Sequence, residues 1–494
     1  MAGESSRGIN LSRLKKISMK KASAVDKFKI ATTTGLPARF LATETLLDRS
    51  KNILPTDRIW TLAERYQIPA RERPFAFDLL TGVIKRQASL NHLIEIFSGR
   101  ALRQISPVLR TILQIGLDQL FFEDAVADFA AVDTSCELTR CYLGRRPVAF
   151  VNAILRKIQR ALQTRNVPVT PANAQRVLPV HLDLGIEFNQ PILPSPDNPV
   201  DYLSLAYSFP AWLIKRWLQR WTFHDLKPIL AAANARPSLI VRPNPLKISL
   251  EGLAELLTAE SCKIRILPDD GAILLLEHPP ISQLDAFAQG FFQVQDVTAM
   301  ALAKKLDVKP GMKILDLCAG LGTKTTQLAE LSGDRAQIVA SDLSPAKLEK
   351  LEQNAARLGL KSIKTVPLED VGQGFDVVVL DVPCTNTGVF DRRPEARWRI
   401  RESDFQTFTT LSLELLTKSI NYIKPTGQIA FSTCSIDEEE NTQLIHKFCK
   451  EKNFILQNEH LQLPKIDPDT HRVVQTGGYR AFLFKSRNKN DDKK

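Results

Sequence analysis

Residues 36–162 repeat hydrophobic positions at the spacing of amphipathic helices. Leu79, Leu80 and Val83 form one such set, and Leu113 and Leu117 belong to another. Apolar side chains three or four residues apart lie on one face of a helix, and that face must pack against a neighbour. The pattern predicts a compact helical bundle in the first third of the chain.

The pattern changes in the middle of the chain. Residues 165–200 contain seven prolines, which exclude long helices because proline lacks the amide proton that a helix interior needs. We expect an extended linker with a domain boundary there. Residues 236–295 mix brief β-type runs with an amphipathic helix at Leu250 to Leu257, which is typical of a small α+β subdomain.

From about residue 296, continuous apolar runs alternate with helical segments. Such runs are expected for strands that are covered on both faces, as in a parallel sheet. We therefore predict a doubly wound α/β domain with no internal repeat. The four predicted strands are Lys313 to Leu317, Ile338 to Ser341, Phe375 to Leu380 and Ile429 to Ser432.

These changes divide the 494 residues into six predicted segments. They are a basic disordered arm at 1–32, a helical domain at 33–165, a Pro-rich linker with short helices at 166–235, an α+β subdomain at 236–295, the α/β domain at 296–487 and a polar tail at 488–494.

Charge and cysteine content narrow the function class. Lys and Arg exceed Asp and Glu by 66 to 54, a net charge of +12, and half of the surplus lies in residues 1–30. This favours a polyanionic partner such as nucleic acid or an acidic membrane surface. The sequence contains no run of 18 apolar residues, so we predict no membrane span. Seven cysteines without a CxxC pair predict free thiols in a reducing cytoplasm and no metal site.

A small-residue loop follows the first predicted strand. Gly320 and Gly322 allow a sharp turn and close approach to a ligand beside the next helix, and Asp342 ends the second strand about twenty residues later. The loop is neither a P-loop nor a GxGxxG fingerprint. The arrangement favours an adenosine-containing cofactor; a tight strand–helix turn and an unrelated N-cap aspartate remain the alternative.

Two cysteines lie just past the carboxyl ends of buried strands. Cys384 follows Asp381 by three residues, and Cys434 follows the strand that ends at Ser432. Open α/β sheets bind ligands at this edge, so both thiols are expected to face one crevice. Each alone is more often a small buried hydrophobe than a nucleophile.

Taken together, residues 290–450 resemble the two-cysteine RNA cytosine-C5 methyltransferases that use S-adenosylmethionine. The shared elements are Gln295-Asp296, the Asp316 loop, Asp342, Asp381-Val382-Pro383-Cys384, and Thr433-Cys434-Ser435 followed by Glu438 to Asn441. The resemblance implies that Cys434 attacks C6 of cytosine, that Asp381 serves as the acid beside N3 and that Cys384 assists release. The reverse order of the two thiols stays open. The implied cofactor residues are Cys318, Ala319, Gly320, Leu321, Gly322, Thr323, Lys324, Asp342 and Asp381.

Upstream, Val132 to Ser135 and Phe150 to Arg156 resemble the antitermination-factor (NusB)-like RNA-binding domain of family members that act on small-subunit ribosomal RNA. The implied fold is an all-α NusB-like domain, a small α+β subdomain and a Rossmann-like methyltransferase domain. The implied partner is RNA, most of all 16S ribosomal RNA, and we expect a monomer. Arg392, Arg393, Arg397 and Trp398 are candidate RNA contacts; the alternative for them is a solvated basic loop.

The sequence departs from the family at three places. The family usually has Pro-Gly-Gly in the first loop, where this chain has Gly320-Leu321-Gly322-Thr323. The carboxyl-terminal Asp-Gly-Phe-Phe pattern is replaced by Gly477-Gly478-Tyr479-Arg480-Ala481-Phe482. The third cofactor carboxylate can be assigned only to Glu369 or Asp370. Two alternative functions therefore stay open: methylation of another RNA such as transfer RNA, and a non-catalytic role in RNA binding or ribosome assembly.

Overall fold

The computed structural model describes residues 30, 32–33, 35–48 and 53–485. It divides the chain into two units: the first ends at Arg165 and also contains Ile186–Ile192, and the second contains Asn166–Gly185 and Leu193 onward. The predicted basic arm, except for Ile30 and Thr32, and the predicted tail lie outside the described residues. Across the described part of the chain, every helix is too short or too polar to cross a lipid bilayer.

The first unit is a bundle of seven α-helices in the described residues. Proline occupies the first turn of several of them, where the fixed φ suits helix initiation and no amide proton is needed; Pro37, Pro55 and Pro107 are examples. In the helix that begins at Pro107, every residue from Thr111 to Phe121 is buried. The helices are α1 (Pro37–Leu47), α2 (Pro55–Arg65), α3 (Arg73–Lys85), α4 (Gln87–Ser98), α5 (Pro107–Phe122), α6 (Asp128–Leu143) and α7 (Val148–Ala161). The predicted helical bundle is confirmed.

The Pro-rich stretch contains more structure than a linker. Its short strands are β1 (Leu162–Pro168), β2 (Val177–Pro179) and β3 (Leu184–Phe188). Pro168 and Pro179 stand at strand ends, where a missing amide proton is tolerated. Three helices follow: α8 (Pro199–Ala206), α9 (Ala211–Trp217) and α10 (Phe223–Asn234).

The small α+β subdomain is built on an antiparallel sheet of order β6-β7-β5-β8. Its core packs Val241, Leu253, Leu257, Ile273 and Phe292 between the sheet and a helix. The elements are β4 (Arg236–Pro237), β5 (Leu239–Pro243), α11 (Leu250–Ala259), β6 (Lys263–Leu267), β7 (Ala272–Glu277), α12 (Asp285–Ala288) and β8 (Phe292–Val294).

The carboxyl-terminal domain is a seven-stranded sheet of order β11-β10-β9-β12-β13-β17-β14. Its helices are α13 (Val297–Lys305), α14 (Thr323–Leu331), α15 (Pro345–Leu358), α16 (Ala396–Arg399), α17 (Glu402–Ser419) and α18 (Thr442–Lys452). Its strands are β9 (Lys313–Asp316), β10 (Gln337–Ala340), β11 (Ile363–Thr365), β12 (Phe375–Asp381), β13 (Ile423–Thr433), β14 (Phe454–Gln462) and β17 (Gly478–Lys485). Between the last two lie β15 (Lys465–Ile466) and β16 (Arg472–Gln475), which form a small separate sheet with β4.

Five strands of this sheet are parallel, whereas β17 and β14 run antiparallel to their neighbours. Hydrophobic clusters cover both faces, one around Leu315, Val378 and Phe431 and the other around Ile314, Val379 and Ala430. The doubly wound prediction is confirmed, with an antiparallel edge added. From β9 the chain runs to β10 and β11 on one side and then crosses to β12 on the other side of β9. Such a switch point opens a crevice at the carboxyl ends of the strands.

Candidate active site

The glycine loop lies at this switch point, between β9 and α14. Gly320 and Gly322 have φ of +56° and +81°, conformations that favour glycine. A Cβ at Gly322 would lie 2.4 Å from Cγ of Leu351, so the packing of α15 also requires glycine here. Leu321 has a negative φ and a side chain 53% exposed. Leu321, which lies where the loop departs from the family's Pro-Gly-Gly pattern, therefore carries no backbone strain.

Asp342, two residues after the end of β10, holds this loop. Its Oδ2 accepts a hydrogen bond from the Gly320 amide at 3.0 Å, and its Oδ1 accepts one from the Ser344 amide at 2.9 Å. A carboxylate has about four acceptor positions, so Asp342 retains capacity for two hydroxyl groups of a ligand. Sequence reasoning paired the loop with Asp342, and the structure brings them into direct contact.

Asp316 is an ionisable group beneath the loop. It is 1% exposed, and its Oδ2 accepts a hydrogen bond from the Thr325 hydroxyl at 2.7 Å. Burial raises the pKa of Asp316 to about 6. Its Oδ1 has no hydrogen-bond partner, and an unsatisfied buried oxygen costs free energy unless a ligand supplies a donor.

Asp381, at the end of β12, accepts two hydrogen bonds. Lys324 Nζ donates to Oδ2 over 2.6 Å, and Ser432 Oγ donates to Oδ1 over 2.7 Å. Burial by itself lowers the pKa of Lys324, but the charge of Asp381 outweighs it and leaves the pKa raised. Lys324 is therefore an ammonium group that points at an aspartate on the crevice edge.

The two cysteines meet at the same edge. Their Sγ atoms are 3.1 Å apart, and Cys434 Sγ donates to Asn386 Oδ1 over 3.3 Å. The hydrogen bond to Cys434, together with burial, raises the pKa of Cys384 well above its ordinary value. Cys384 is 5% exposed, whereas Cys434 is partly exposed. The geometry therefore presents Cys434 to a ligand and keeps Cys384 behind it.

A buried polar network fixes both cysteine loops and was not found from the sequence. Glu440 accepts hydrogen bonds from the Thr385 amide at 2.9 Å and the Thr385 hydroxyl at 2.5 Å. On the other side, Thr387 donates to Asp437 at 2.8 Å and contacts Ser435 at 3.0 Å. Burial raises the pKa of Glu440 to about 7. Buried networks of this kind restrict the loops that they connect.

A cavity of about 150 Å³ opens beside Cys434. Three cationic residues from different elements are part of its lining: Lys324 on α14, Arg392 in the loop after β12, and Arg480 on β17. Its wall is completed by Asp296, Thr298, Ala299, Leu302, Val389, Ser432, Thr433, Thr476, Gly477, Gly478 and Tyr479. The strands, the cysteine loops and α13 thus enclose a space next to the exposed thiol.

The predicted RNA contacts separate into three groups. Arg397 is 0% exposed, donates to Asn234 Oδ1 and the Ala233 carbonyl at 2.7 Å each, and lies over the Phe209 ring. The prediction that Arg397 contacts RNA is therefore wrong, because its donors are used inside the protein. Arg392 is half-buried and paired with Asp296 at 2.9 Å. Arg393 is exposed and Trp398 half-buried.

The remaining candidates are less defined. Glu369 and Asp370 are exposed in a single turn after β11, so the third cofactor carboxylate stays a prediction. Cys318 lies in the glycine loop, and burial raises its pKa. Within the described ranges, no group of three His, Cys, Asp or Glu side chains has the arrangement of a metal site.

The mixed Rossmann-like sheet, with its glycine loop after the first strand and an acid at the end of the second, defines a methyltransferase domain. Comparison with protein families places the chain more closely. Residues 303–480 match "16S rRNA methyltransferase RsmB/F", residues 37–160 match the NusB family, and residues 209–282 match the ferredoxin-like domain of RsmF/B-like methyltransferases. The chain belongs to the RsmB/F family of 16S rRNA methyltransferases, as its sequence motifs predicted.

Relatives agree over most of the chain. A protein of Synechocystis sp. described as "Probable ribosomal RNA small subunit methyltransferase B" is 33% identical, with 84% of this chain and 90% of the relative covered. "Ribosomal RNA small subunit methyltransferase B" of Klebsiella pneumoniae is 28% identical, with 77% and 82% covered.

Solved structures share the fold. The crystal structure of PH0851 has a TM-score of 0.67 at 23% identity and covers 94% of this chain and 100% of its own. NSun6 from Pyrococcus horikoshii, solved with SFG, has a TM-score of 0.51 at 21% identity and covers 57% of this chain and 100% of its own.

Proposed function

We propose that this methyltransferase transfers a methyl group from S-adenosylmethionine to C5 of a cytidine in 16S ribosomal RNA, through a covalent bond between Cys434 and C6. The observation that carries the proposal is the 3.1 Å contact between the Cys384 and Cys434 sulfurs, beside the Lys324–Asp381 pair. One partly exposed cysteine could be explained as a packing residue. Two adjacent thiols beside an acid and an ammonium group are instead the groups that an addition to C6 followed by an elimination requires.

The residues of the glycine loop fit the cofactor. Asp342 retains acceptors for ribose hydroxyls, and the unpartnered Asp316 Oδ1 would accept from the ammonium of the methionine moiety. The backbone from Gly320 to Gly322, at the start of α14, lets the cofactor approach the main chain closely. When bound, S-adenosylmethionine supplies an electrophilic methyl group on a sulfonium.

In the first step, the Cys434 thiolate adds to C6 and pushes electron density onto the pyrimidine ring. The Lys324 ammonium group donates to Asp381, and Asp381 relays a proton from it to N3. This proton neutralises the negative charge that develops at N3 and O2. With its electron density raised, C5 forms the bond to the methyl group.

In the second step, C5 loses its proton to solvent and N3 returns its proton to the Asp381–Lys324 pair. The C5–C6 double bond forms again as the C6–S bond breaks, and Cys434 leaves as a thiolate that accepts a hydrogen bond from the Cys384 thiol. Cys384 assists this release from its position against Cys434. The raised pKa of Cys384 keeps it in the thiol form while Cys434 attacks, so the two sulfurs do not compete for C6.

Single replacements of the cysteines test this order. We expect Cys384→Ser to accumulate a covalent protein–RNA adduct, because addition proceeds and release fails, and Cys434→Ser to form none. Adducts are measured by denaturing gel electrophoresis after incubation with 16S ribosomal RNA and S-adenosylmethionine. Cys449→Ser, a half-buried cysteine on α18, is the matched control. An adduct with Cys434→Ser but not with Cys384→Ser would reverse the roles.

The names of the relatives favour 16S ribosomal RNA as the substrate. Bisulfite sequencing of small-subunit RNA from cells with and without the gene measures the C5 modification directly. We expect one cytidine that resists bisulfite conversion in cells with the gene to be converted when the gene is deleted. Loss of protection in transfer RNA alone would assign the other RNA substrate, and no change in either RNA would favour a non-catalytic role.

A further inference from the structure

Arg480 occupies a fixed place in a row of side chains across the sheet. Asp381 on β12 pairs with Ser432 on β13, and Ser432 pairs with Arg480 on β17. Directly opposed residues in neighbouring strands project from the same face, and the hydrogen bond from Ser432 to Asp381 shows this for the first pair. Arg480 therefore lies on the face of Asp381, two cross-strand steps, or roughly 10 Å, away.

Arg480 also differs from the other cations of the cavity. Lys324 is paired with Asp381 and Arg392 with Asp296. Arg480 is half-buried, and among the described residues its guanidinium has neither a carboxylate nor a hydrogen-bond acceptor as partner. Burial lowers its pKa, yet a guanidinium stays charged in proteins. Arg480 thus brings to the cavity lining a positive charge that no carboxylate of the described residues pairs with.

We propose that Arg480 binds a phosphate group of the nucleotide whose base reacts with Cys434. This assignment rests on the proposed function, because it uses the same cavity. With the base held between Cys434 and Asp381, the sugar and phosphate extend along the row toward β17. A guanidinium offers paired donors that match phosphate oxygens, and a phosphate supplies the missing partner. Arg480 would thereby select a nucleotide over a free nucleoside.

Mononucleotides test the proposal without relying on methylation. Binding of cytidine, cytidine 5′-monophosphate and cytidine 3′-monophosphate to the full-length protein is measured by ligand-observed NMR. We expect one of the monophosphates to bind about tenfold more tightly than cytidine, as for a hydrogen bond to a charged group. Arg480→Met should abolish this preference, and Arg480→Lys should retain part of it. Arg335→Met, an exposed arginine before β10, should leave it unchanged.

The outcomes separate this proposal from the methylation chemistry. If Arg480→Met weakened the binding of cytidine and of both monophosphates equally, Arg480 would contact the base, and the phosphate assignment would be overturned. Equal binding of all three by the unaltered protein would overturn it as well. If the preference depends on Arg480 but no covalent adduct forms with RNA, the nucleotide site stands and the catalytic proposal fails.

Discussion

At the scale of single residues, the proposed chemistry depends on the contact between Lys324 and Asp381. The 2.6 Å contact between Nζ and Oδ2 directs an ammonium group at the aspartate on the crevice edge. Lys324 was predicted as a cofactor ligand because it lies in the glycine loop. The structure instead aims its charge at Asp381, which the sequence could not show because the two residues are 57 positions apart.

Replacing Lys324 with Met should therefore impair the chemical step more than cofactor binding. Proton transfer by a positioned group contributes about 10²–10⁴-fold to rate, so we expect the single-turnover methylation rate to fall at least about 100-fold. The dissociation constant of S-adenosylmethionine, measured by calorimetry, should change far less. Lys350→Met, an exposed lysine on α15, is the control. A comparable loss in cofactor affinity would instead support the role of Lys324 as a cofactor ligand, which the glycine loop motif predicted.

Glu440 gives a pH signature. Its pKa is about 7 in the folded protein and about 4.5 ordinarily, so the folded state binds the extra proton between these values. Its contribution to the free energy of unfolding is complete below about pH 4.5 and is lost as pH rises through 7, by about 3 kcal/mol. Glu440→Gln retains an acceptor for the Thr385 amide and removes this titration.

The measurement compares denaturant unfolding of the unaltered protein and Glu440→Gln at several pH values. The stability of the variant relative to the unaltered protein should rise by about 2–3 kcal/mol between pH 5 and pH 8. Other acids, including Asp316, cancel because both proteins contain them. A difference independent of pH would mean that Glu440 is ionised throughout.

At the scale of elements, the glycine loop and the packing of α15 depend on one position. Gly322→Ala places a methyl group against Leu351 and forces a positive φ on alanine. Gly320→Ala meets no atom within 4 Å and bears only the strain of its φ of +56°. We expect Gly322→Ala to lower affinity for S-adenosylmethionine at least about tenfold and Gly320→Ala by less, since backbone strain of this kind costs about 1–3 kcal/mol. Calorimetric titration measures both, and equal losses would show that the Leu351 contact is unimportant.

The sequence-based prediction agreed best with the structure for the parallel strands of the carboxyl-terminal sheet. Strands β9, β10 and β12, and the buried end of β13, contain the apolar runs that a sheet covered on both faces requires, and the predicted ranges agree closely with the observed ones. β14 and β17 were not predicted individually. Exposed and half-buried residues alternate irregularly along β14, as expected for an edge strand, and leave no clear period. Arg397 was predicted to lie on the surface because arginine-rich segments are usually exposed. Only the tertiary packing reveals its aromatic and carbonyl partners.

At the scale of the whole molecule, the surplus of positive charge is concentrated at one end of the chain. Residues 1–30 contain eight basic and two acidic residues, and a basic segment of this composition neutralises phosphates regardless of sequence. The groups that we propose for catalysis, in contrast, lie at the crevice of the carboxyl-terminal sheet. Affinity for RNA and the rate of methyl transfer should therefore be separable.

Replacing Lys15, Lys16, Lys20 and Lys21 with Gln tests this separation. Each lost phosphate contact reduces the slope of log affinity against log salt by about 0.7–0.9, so the slope for ribosomal RNA should become shallower by about 1–3. The maximal methylation rate at saturating RNA should stay unchanged, because the groups that we propose for the chemical step, Cys434, Asp381 and Lys324, are left intact. The control replaces Lys305, Lys350, Lys361 and Lys364, exposed lysines of the methyltransferase domain, and removes the same charge elsewhere. If both sets change the slope equally, net charge and not its concentration at residues 1–30 determines RNA affinity.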